Sequence, residues 1–233
     1  MKVNPSHCFD CGDCLSICPV DAILKQEGAI SIDQSRCVEC GVCWRTNVCP
    51  TSVFEPEDLP WPRVLRALFS DPAIEHRRTG VAGRGLEEIK TNDVCRVYAG
   101  DLVGVTAEIG RPGIGASFHD VQCITQTLAE SGARLAADNP LMELFVDPGH
   151  GLIRPDILRE RILSVIVEYL VPKADLERIL RILIEASFRL SVPVLLSVAG
   201  VYAADGTTPY QDVLEEIALD CLPTGKINLG FMR

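Results

Sequence analysis

Cys8-Phe9-Asp10-Cys11-Gly12-Asp13-Cys14-Leu15-Ser16-Ile17-Cys18-Pro19 and Cys37-Val38-Glu39-Cys40-Gly41-Val42-Cys43-Trp44-Arg45-Thr46-Asn47-Val48-Cys49-Pro50 decide how this chain is read. The two stretches hold eight of the eleven cysteines. The first spaces them C-x2-C-x2-C-x3-C-P and the second C-x2-C-x2-C-x5-C-P. Three thiolates on so tight a loop can cap three irons of one cube. The fourth iron lies out of that loop's reach and takes the remote cysteine of the other run. The spacing therefore reads as two 4Fe–4S clusters with crossed ligands. Cys8, Cys11, Cys14 and Cys49 are expected around the first, and Cys37, Cys40, Cys43 and Cys18 around the second.

The neighbouring residues fit that reading. Pro19 and Pro50 follow the remote cysteines, where a fixed φ and a missing N–H turn the chain away. Gly12 and Gly41 sit inside the ligand loops, where the lack of a Cβ lets backbone approach inorganic sulfide. Structural zinc sites use two separated C-x2-C pairs, which is a different layout. A disulfide framework needs an oxidising compartment. The second run departs from the first in the five residues Trp44 to Val48, which stand where the first has three. A longer loop beside the first cluster is expected, with Trp44 shielding a cluster or lying against a partner. An alternative is that the longer loop leaves one cluster labile or incomplete. Potentials of such clusters span about −700 to +450 mV, and the spacing fixes no value within that range.

Composition narrows the function class. The 233 residues are 47% hydrophobic and 23% charged, as in ordinary globular chains. Net charge is −10, shared evenly: residues 1–60 carry nine acidic and four basic side chains, the rest twenty-three and eighteen. That balance speaks against sequence-independent nucleic-acid binding, which needs a basic face. An acidic carrier suits a partner with a basic docking patch, although acidity also simply favours solubility. Met1 to Pro5 leads directly into the first ligand run without a signal-like apolar stretch. The longest apolar run, Val192 to Ala204, is too short to span a bilayer. A cytoplasmic, anaerobic setting is expected.

Along the chain, residues 1–60 read as a two-cluster domain and 61–233 as a second, α+β domain. Cys18-Pro19-Val20-Asp21-Ala22-Ile23 and Cys49-Pro50-Thr51-Ser52-Val53-Phe54 occupy matching places in a two-fold repeat. Each half should give a ligand loop, a helical turn and a short strand, with Ile23, Ile30 and Ile32 as aliphatic cover. Glu55 to Pro62 reads as a stiff acidic linker, Pro62 to Ser70 as a short helix, and Thr79 to Asp93 as a loop with one helical turn. Val94 to Ile109 alternates like a strand or hairpin. Ser117 should open a helix running to Ser131, with Asp120 near its positive end and Gly132 stopping it. Leu158, Ile162, Val165, Ile166 and Tyr169 recur at helical spacing over Pro155 to Val171. So do Ile179, Leu180, Leu183 and Ser187 over Asp175 to Leu190. An antiparallel helix pair is expected from these two segments. Val192 to Tyr202 reads as a buried strand, Pro209 to Cys221 as a helix and Lys226 to Met232 as a last strand.

The second domain offers weaker chemical signals. Gly110-Arg111-Pro112-Gly113-Ile114-Gly115 lacks the spacing of a dinucleotide fingerprint. It reads first as a tight turn before a helix, and second as an anion cradle. Arg84 to Asp93 is densely polar, as a substrate or partner contact or as a solvated, capped helix. His119 and His150 are the best-placed histidines, yet Asp147-Pro148-Gly149-His150-Gly151 reads as a turn. Cys95, Cys123 and Cys221 are scattered and read as buried thiols. There is no flavin, nicotinamide or nucleophile-triad signature, so no catalytic residue is assigned.

Residues 1–54 resemble two-cluster bacterial ferredoxins on the strength of both Cys runs. The following region is similar to the segment after the cluster motif in 6-hydroxynicotinate reductase and related 4Fe–4S proteins. That likeness is carried by Gly83-Arg84-Gly85-Leu86-Glu87-Glu88-Ile89-Lys90-Thr91-Asn92-Asp93 and by Gly110 to Gly115. It implies a link to flavoprotein reductases, with FAD or FMN on a separate subunit, since this chain has no flavin domain. The expected role is electron transfer within an anaerobic reductase complex. The rival expectations are a reductase binding a small anionic or heteroaromatic substrate near Arg84, Lys90 and Arg111, and a stand-alone carrier.

Overall fold

The computed structural model describes residues 1–26, 28–77, 80, 101–110, 115–137, 139–202, 204–208 and 210–217. The amino-terminal part is built from short pieces. Strand β1 (Lys2–Val3) is followed by a 3-10 turn at Pro5–His7, the hairpin β2 (Ile23–Gln26) and β3 (Ala29–Ile32), helix α1 (Val42–Arg45) and strand β4 (Phe54–Glu55). β1 and β4 pair antiparallel, so the two ends of the cysteine repeat close on each other. Few large apolar side chains are available here. The small core consists of Met1, Ile23, Ile30, Val53 and Phe54 with the cysteines packed among them.

Helix α2 (Val64–Ser70) belongs physically to both halves. Leu65 and Phe69 enter the large carboxy-terminal core. Arg66 points the other way and donates to the carbonyls of Cys37 (2.7 Å) and Gln34 (2.9 Å), while its Nε meets Glu160 at 2.5 Å. The segment before α2, expected to be a stiff linker, is held down as well. Glu55 lies in β4, Glu57 accepts from the Met1 ammonium at 2.9 Å, and Trp61 Nε1 donates to Asp156 at 2.8 Å.

The larger unit is a four-stranded antiparallel sheet in the order β12-β5-β11-β7, with helices packed into its apolar face. Its strands are β5 (Leu102–Ile109), β7 (Arg134–Leu135), β11 (Val165–Pro172) and β12 (Val194–Ala199). Helix α3 (Phe118–Glu130) follows β5, and helix α4 (Leu176–Ser187) joins β11 to β12. Short strands β6 (Ala116–Ser117), β8 (Phe145–Asp147), β9 (Leu152–Ile153) and β10 (Arg161–Ile162) fill the connections. Helix α5 (Gln211–Glu216) packs its apolar side chains against the same core. Read along the chain, the sheet and its two helices run β-α-β-β-α-β, the split βαβ arrangement. Val103, Val105, Ala107 and Ile109 of β5 face the helices by simple alternation, as do Val165, Val167, Tyr169 and Val171 of β11.

Helix α3 starts where its cap predicts. Ser117 Oγ accepts from the Asp120 amide, and Asp120 Oδ2 accepts from the Ser117 amide, a reciprocal capping box. The expected helix over Pro155 to Val171 is a correction. That stretch holds a 3-10 turn at Pro155–Ile157, then β10, then β11 in the middle of the sheet. Val165-Ile166-Val167-Glu168-Tyr169-Leu170-Val171 is β-branched and nearly all apolar, so it satisfies helical spacing and strand burial alike, and β-propensity wins. The antiparallel helix pair is therefore not formed by those two segments; α4 packs against α3 instead. Most of Thr79 to Asp93, the first half of Val94 to Ile109 and all of Lys226 to Met232 lie outside the described residues. The Pro209 to Cys221 helix is described only as α5.

Phe118 is fully buried and meets Phe69 edge to face at 5.5 Å between ring centroids, tying α3 to α2. Phe118→Ala should cost about 3–5 kcal/mol by opening a cavity at this joint, read as a shift in the denaturant midpoint at constant slope.

Candidate iron–sulfur centres

The two ligand loops repeat one backbone device. Residues with left-handed φ recur at matching offsets: Asp10 (57°) and Glu39 (58°) two places after the first cysteine of each run, and Gly12 (84°) and Gly41 (69°) four places after. Asp21 (49°) and Ser52 (53°) stand three places after each remote cysteine. This curling brings amides towards sulfur. The Asp10 amide donates to Cys8 Sγ at 3.4 Å, and the Ala22 amide to Cys18 Sγ at 3.2 Å. Glu39 does the same for Cys37, and Val53 for Cys49. Donors aimed at sulfur favour the thiolate.

The thiols gather in two crossed sets of four. Cys14 lies within electrostatic reach of Cys11, Cys49 and Cys8. Cys43 feels Cys40, Cys37 and Cys18. Each set thus joins three cysteines of one run to the remote cysteine of the other. Cys18, Cys37, Cys40 and Cys43 line one cavity of about 360 Å³, counting its open mouth, together with Val20, Ala22, Ile23, Ile32 and Val38. Among the described residues no three His, Cys, Asp or Glu side chains are close enough to share a single metal ion. A cube, by contrast, takes its four thiolates at separate corners. Four thiols, aliphatic walls and amide donors to sulfur are a donor set that fits a 4Fe–4S cube.

The two sets differ in setting. Burial pushes Cys37 up to about 11 and Cys43 up to about 12. At Cys49 burial also pulls upward, but the Thr51 hydroxyl 3.4 Å from its sulfur and the Val53, Thr51 and Ser52 amides outweigh it and leave the thiol below its ordinary value. Cys11 is exposed, and Phe9 beside Cys8 is 79% exposed. The first set thus lies nearer solvent than the second. Trp44, expected as a shield or partner contact, is half-exposed.

The five-residue spacer ends at Val48, which packs against the small core that holds Cys14. It continues α1 and swings Arg45 back over its own loop, where the guanidinium donates to the Cys40 carbonyl and meets Asp71 Oδ1 at 2.6 Å. Sequence reading missed Arg45, Arg66, Asp71 and Thr51. Arginine two residues after a ligand is the only signal that pointed to any of them. The other candidates do not converge on a site. His150 Nδ1 lies 2.8 Å from Asp147 within the exposed turn between β8 and β9, and His119 Nδ1 lies 4.0 Å from Cys123 Sγ on α3. Cys95, Cys221, Arg84, Lys90 and Arg111 lie outside the described residues.

Comparison with known proteins settles the class of this module. Residues 7–53 match the profile of the 4Fe-4S dicluster domain. This part of the chain is a ferredoxin-type domain. The chain is 42% identical to ferredoxin-1 of Rhodobacter capsulatus over 40 residues, which are 17% of this chain and 62% of that protein. It is 36% identical to formate hydrogenlyase subunit 2 of Escherichia coli K12 over 63 residues, 24% of this chain and 30% of the relative. It is also 36% identical to a ferredoxin of Rickettsia felis over 53 residues, 22% and 47% of the respective lengths. The chain thus spans less than two thirds of each of these relatives. No solved structure matches it. Likeness to ferredoxins is confined to this domain and the residues next to it. Among the described residues no helix is long and apolar enough to cross a membrane.

Iron binding takes protons off thiols, so cluster loading is opposed by acid. Burial raises Cys14 in the first set as it raises Cys37, Cys40 and Cys43 in the second. Lowering the pH of anaerobic reconstitution from about 8.5 to about 6.5 should therefore reduce loading of both centres, as measured by iron content and by electron paramagnetic resonance of the reduced protein.

Proposed function

We propose that this chain is the iron–sulfur subunit of an anaerobic, cytoplasmic reductase complex and relays single electrons to or from a flavoprotein partner. The observation that carries the reading is the grouping of eight thiols into two sets of four within one small module. In this reading Cys8, Cys11, Cys14 and Cys49 hold one cluster, and Cys18, Cys37, Cys40 and Cys43 hold the other. When bound, the clusters supply reversible one-electron storage. The chain's own residues hold the thiolates, donate amides to sulfur and wall the second centre with aliphatic side chains.

Residues 1–60 act as the electron-carrying domain and 61–233 as the partner-docking one. Similarity to a formate hydrogenlyase subunit supports membership of a larger assembly. Likeness to 6-hydroxynicotinate reductase proteins supports a flavin, FAD or FMN, on the companion. The exposure of Phe9 and Cys11 supports a partner approaching from the side of the first centre, and a net charge of −10 suits a basic patch on that partner.

Anaerobically purified protein is expected to carry about eight irons and eight sulfides per chain. Cys49→Ser should remove or alter the resonance of the centre capped by Cys8, Cys11 and Cys14 and leave the other intact; a change confined to the other centre would refute the crossed assignment. Anaerobic co-purification is expected to bring down a flavoprotein. Substrate turnover by the isolated chain with a chemical reductant would instead make it an enzyme. Free exchange with many acceptors and no stable companion would make it a diffusible carrier.

A further inference from the structure

The spacer that lengthens the second ligand run has a structural product, a cation clamped between a ligand loop and the neighbouring domain. Arg45 donates through one guanidinium nitrogen to the Cys40 carbonyl and through another to Asp71 Oδ1 at 2.6 Å. Asp71 caps the end of α2, and its Oδ1 also accepts from the Ala73 amide at 2.8 Å. The guanidinium lies flat over Gly41. A Cβ there would come within 2.5 Å of Arg45 Nη1 and 3.2 Å of Asp71 Oδ2, so the absence of a side chain at 41 is what admits the pair. Arg45 and Asp71 are 28% and 16% exposed, enough to weaken screening by water. The Cys40 thiol senses both members, Arg45 favouring the thiolate and Asp71 opposing it. A second cation, Arg66 of α2, donates to the Cys37 carbonyl. At the first loop the comparable cation is Lys25, half-exposed and paired with Asp10 at 2.9 Å within the same module.

We propose that the Arg45–Asp71 pair, a joint between the ferredoxin-type domain and the end of α2, sets the potential of the centre held by Cys18, Cys37, Cys40 and Cys43, with Arg45 raising it and Asp71 lowering it. This rests on the cluster assignment above. Reduction adds one electron to the cube from a low-potential donor and makes or breaks no covalent bond. The added negative charge strengthens attraction to Arg45. Asp71 works against that charge while orienting Arg45 over the loop. Arg45 and Asp71 are positioning residues and touch no reacting atom.

Electron paramagnetic resonance-monitored redox titration of the full chain tests the joint in wild type, Arg45→Gln, Arg45→Lys and Asp71→Asn. Arg45→Gln should shift the second centre to more negative potential and leave the first unmoved. Asp71→Asn should shift the same centre the opposite way, and Arg45→Lys should fall between wild type and Arg45→Gln. Iron-replete variants in which neither potential moves, both centres move together, or the Gln and Asn changes share a sign would overturn the proposal. If Arg45→Gln loses iron, the sign of the Asp71→Asn shift decides. Wild type lacking iron would sink the cluster assignment itself and is told apart by iron content alone.

Discussion

Sulfur burial governs this molecule. The amino-terminal module has too few aliphatic side chains to build a core of ordinary size, and its centre is made of thiols packed among Ile23, Ile30, Val53 and Phe54. Thiols buried that deeply resist ionising, as Cys37 and Cys43 show, and only a bound metal group turns them into ligands at ordinary pH. Folding of the module and loading of its clusters are therefore coupled. The left-handed residues, the amides aimed at sulfur and the closing β1–β4 pair all serve to hold thiols in place before and after that event.

The carboxy-terminal unit answers a second need. Helix α2 and Leu163 pack against the part of the module that carries Cys37 and Cys40. Arg66 reaches the Cys37 and Gln34 carbonyls, Leu163 N donates to Ser70 Oγ at 2.8 Å, and Val20 comes near the Gly115 backbone. The first centre is left nearer solvent, with Cys11 and Phe9 exposed. The two centres consequently occupy different dielectric surroundings although their ligand runs are nearly the same.

How much of this could be read beforehand differs sharply between the halves. Cysteine spacing is short-range and stoichiometric, so the ferredoxin-type domain was legible, as was the helix opened by Ser117 and Asp120. The strand at Val165–Pro172 was not. An unbroken apolar run fits both periods, and only its place between β5 and β7, set by residues far away in sequence, decides the matter. Arg45 and Arg66 were missed for a related reason: their partners, Asp71, Glu160 and the Cys37 carbonyl, are distant along the chain, and only the place of Arg45 two residues after a ligand hinted at either. The glycine- and charge-rich stretch at 83–93 carried a family likeness that the described residues do not reach.

The split βαβ order also has a cost during synthesis. β5 is flanked in the finished sheet by β11 and β12, both made long after it. As the chain leaves the ribosome, the ferredoxin-type module can be complete while β5 waits with both edges bare, a state prone to wrong pairing. Early cluster insertion would leave this second half as the aggregation-sensitive stage of biogenesis, where a chaperone has most to do.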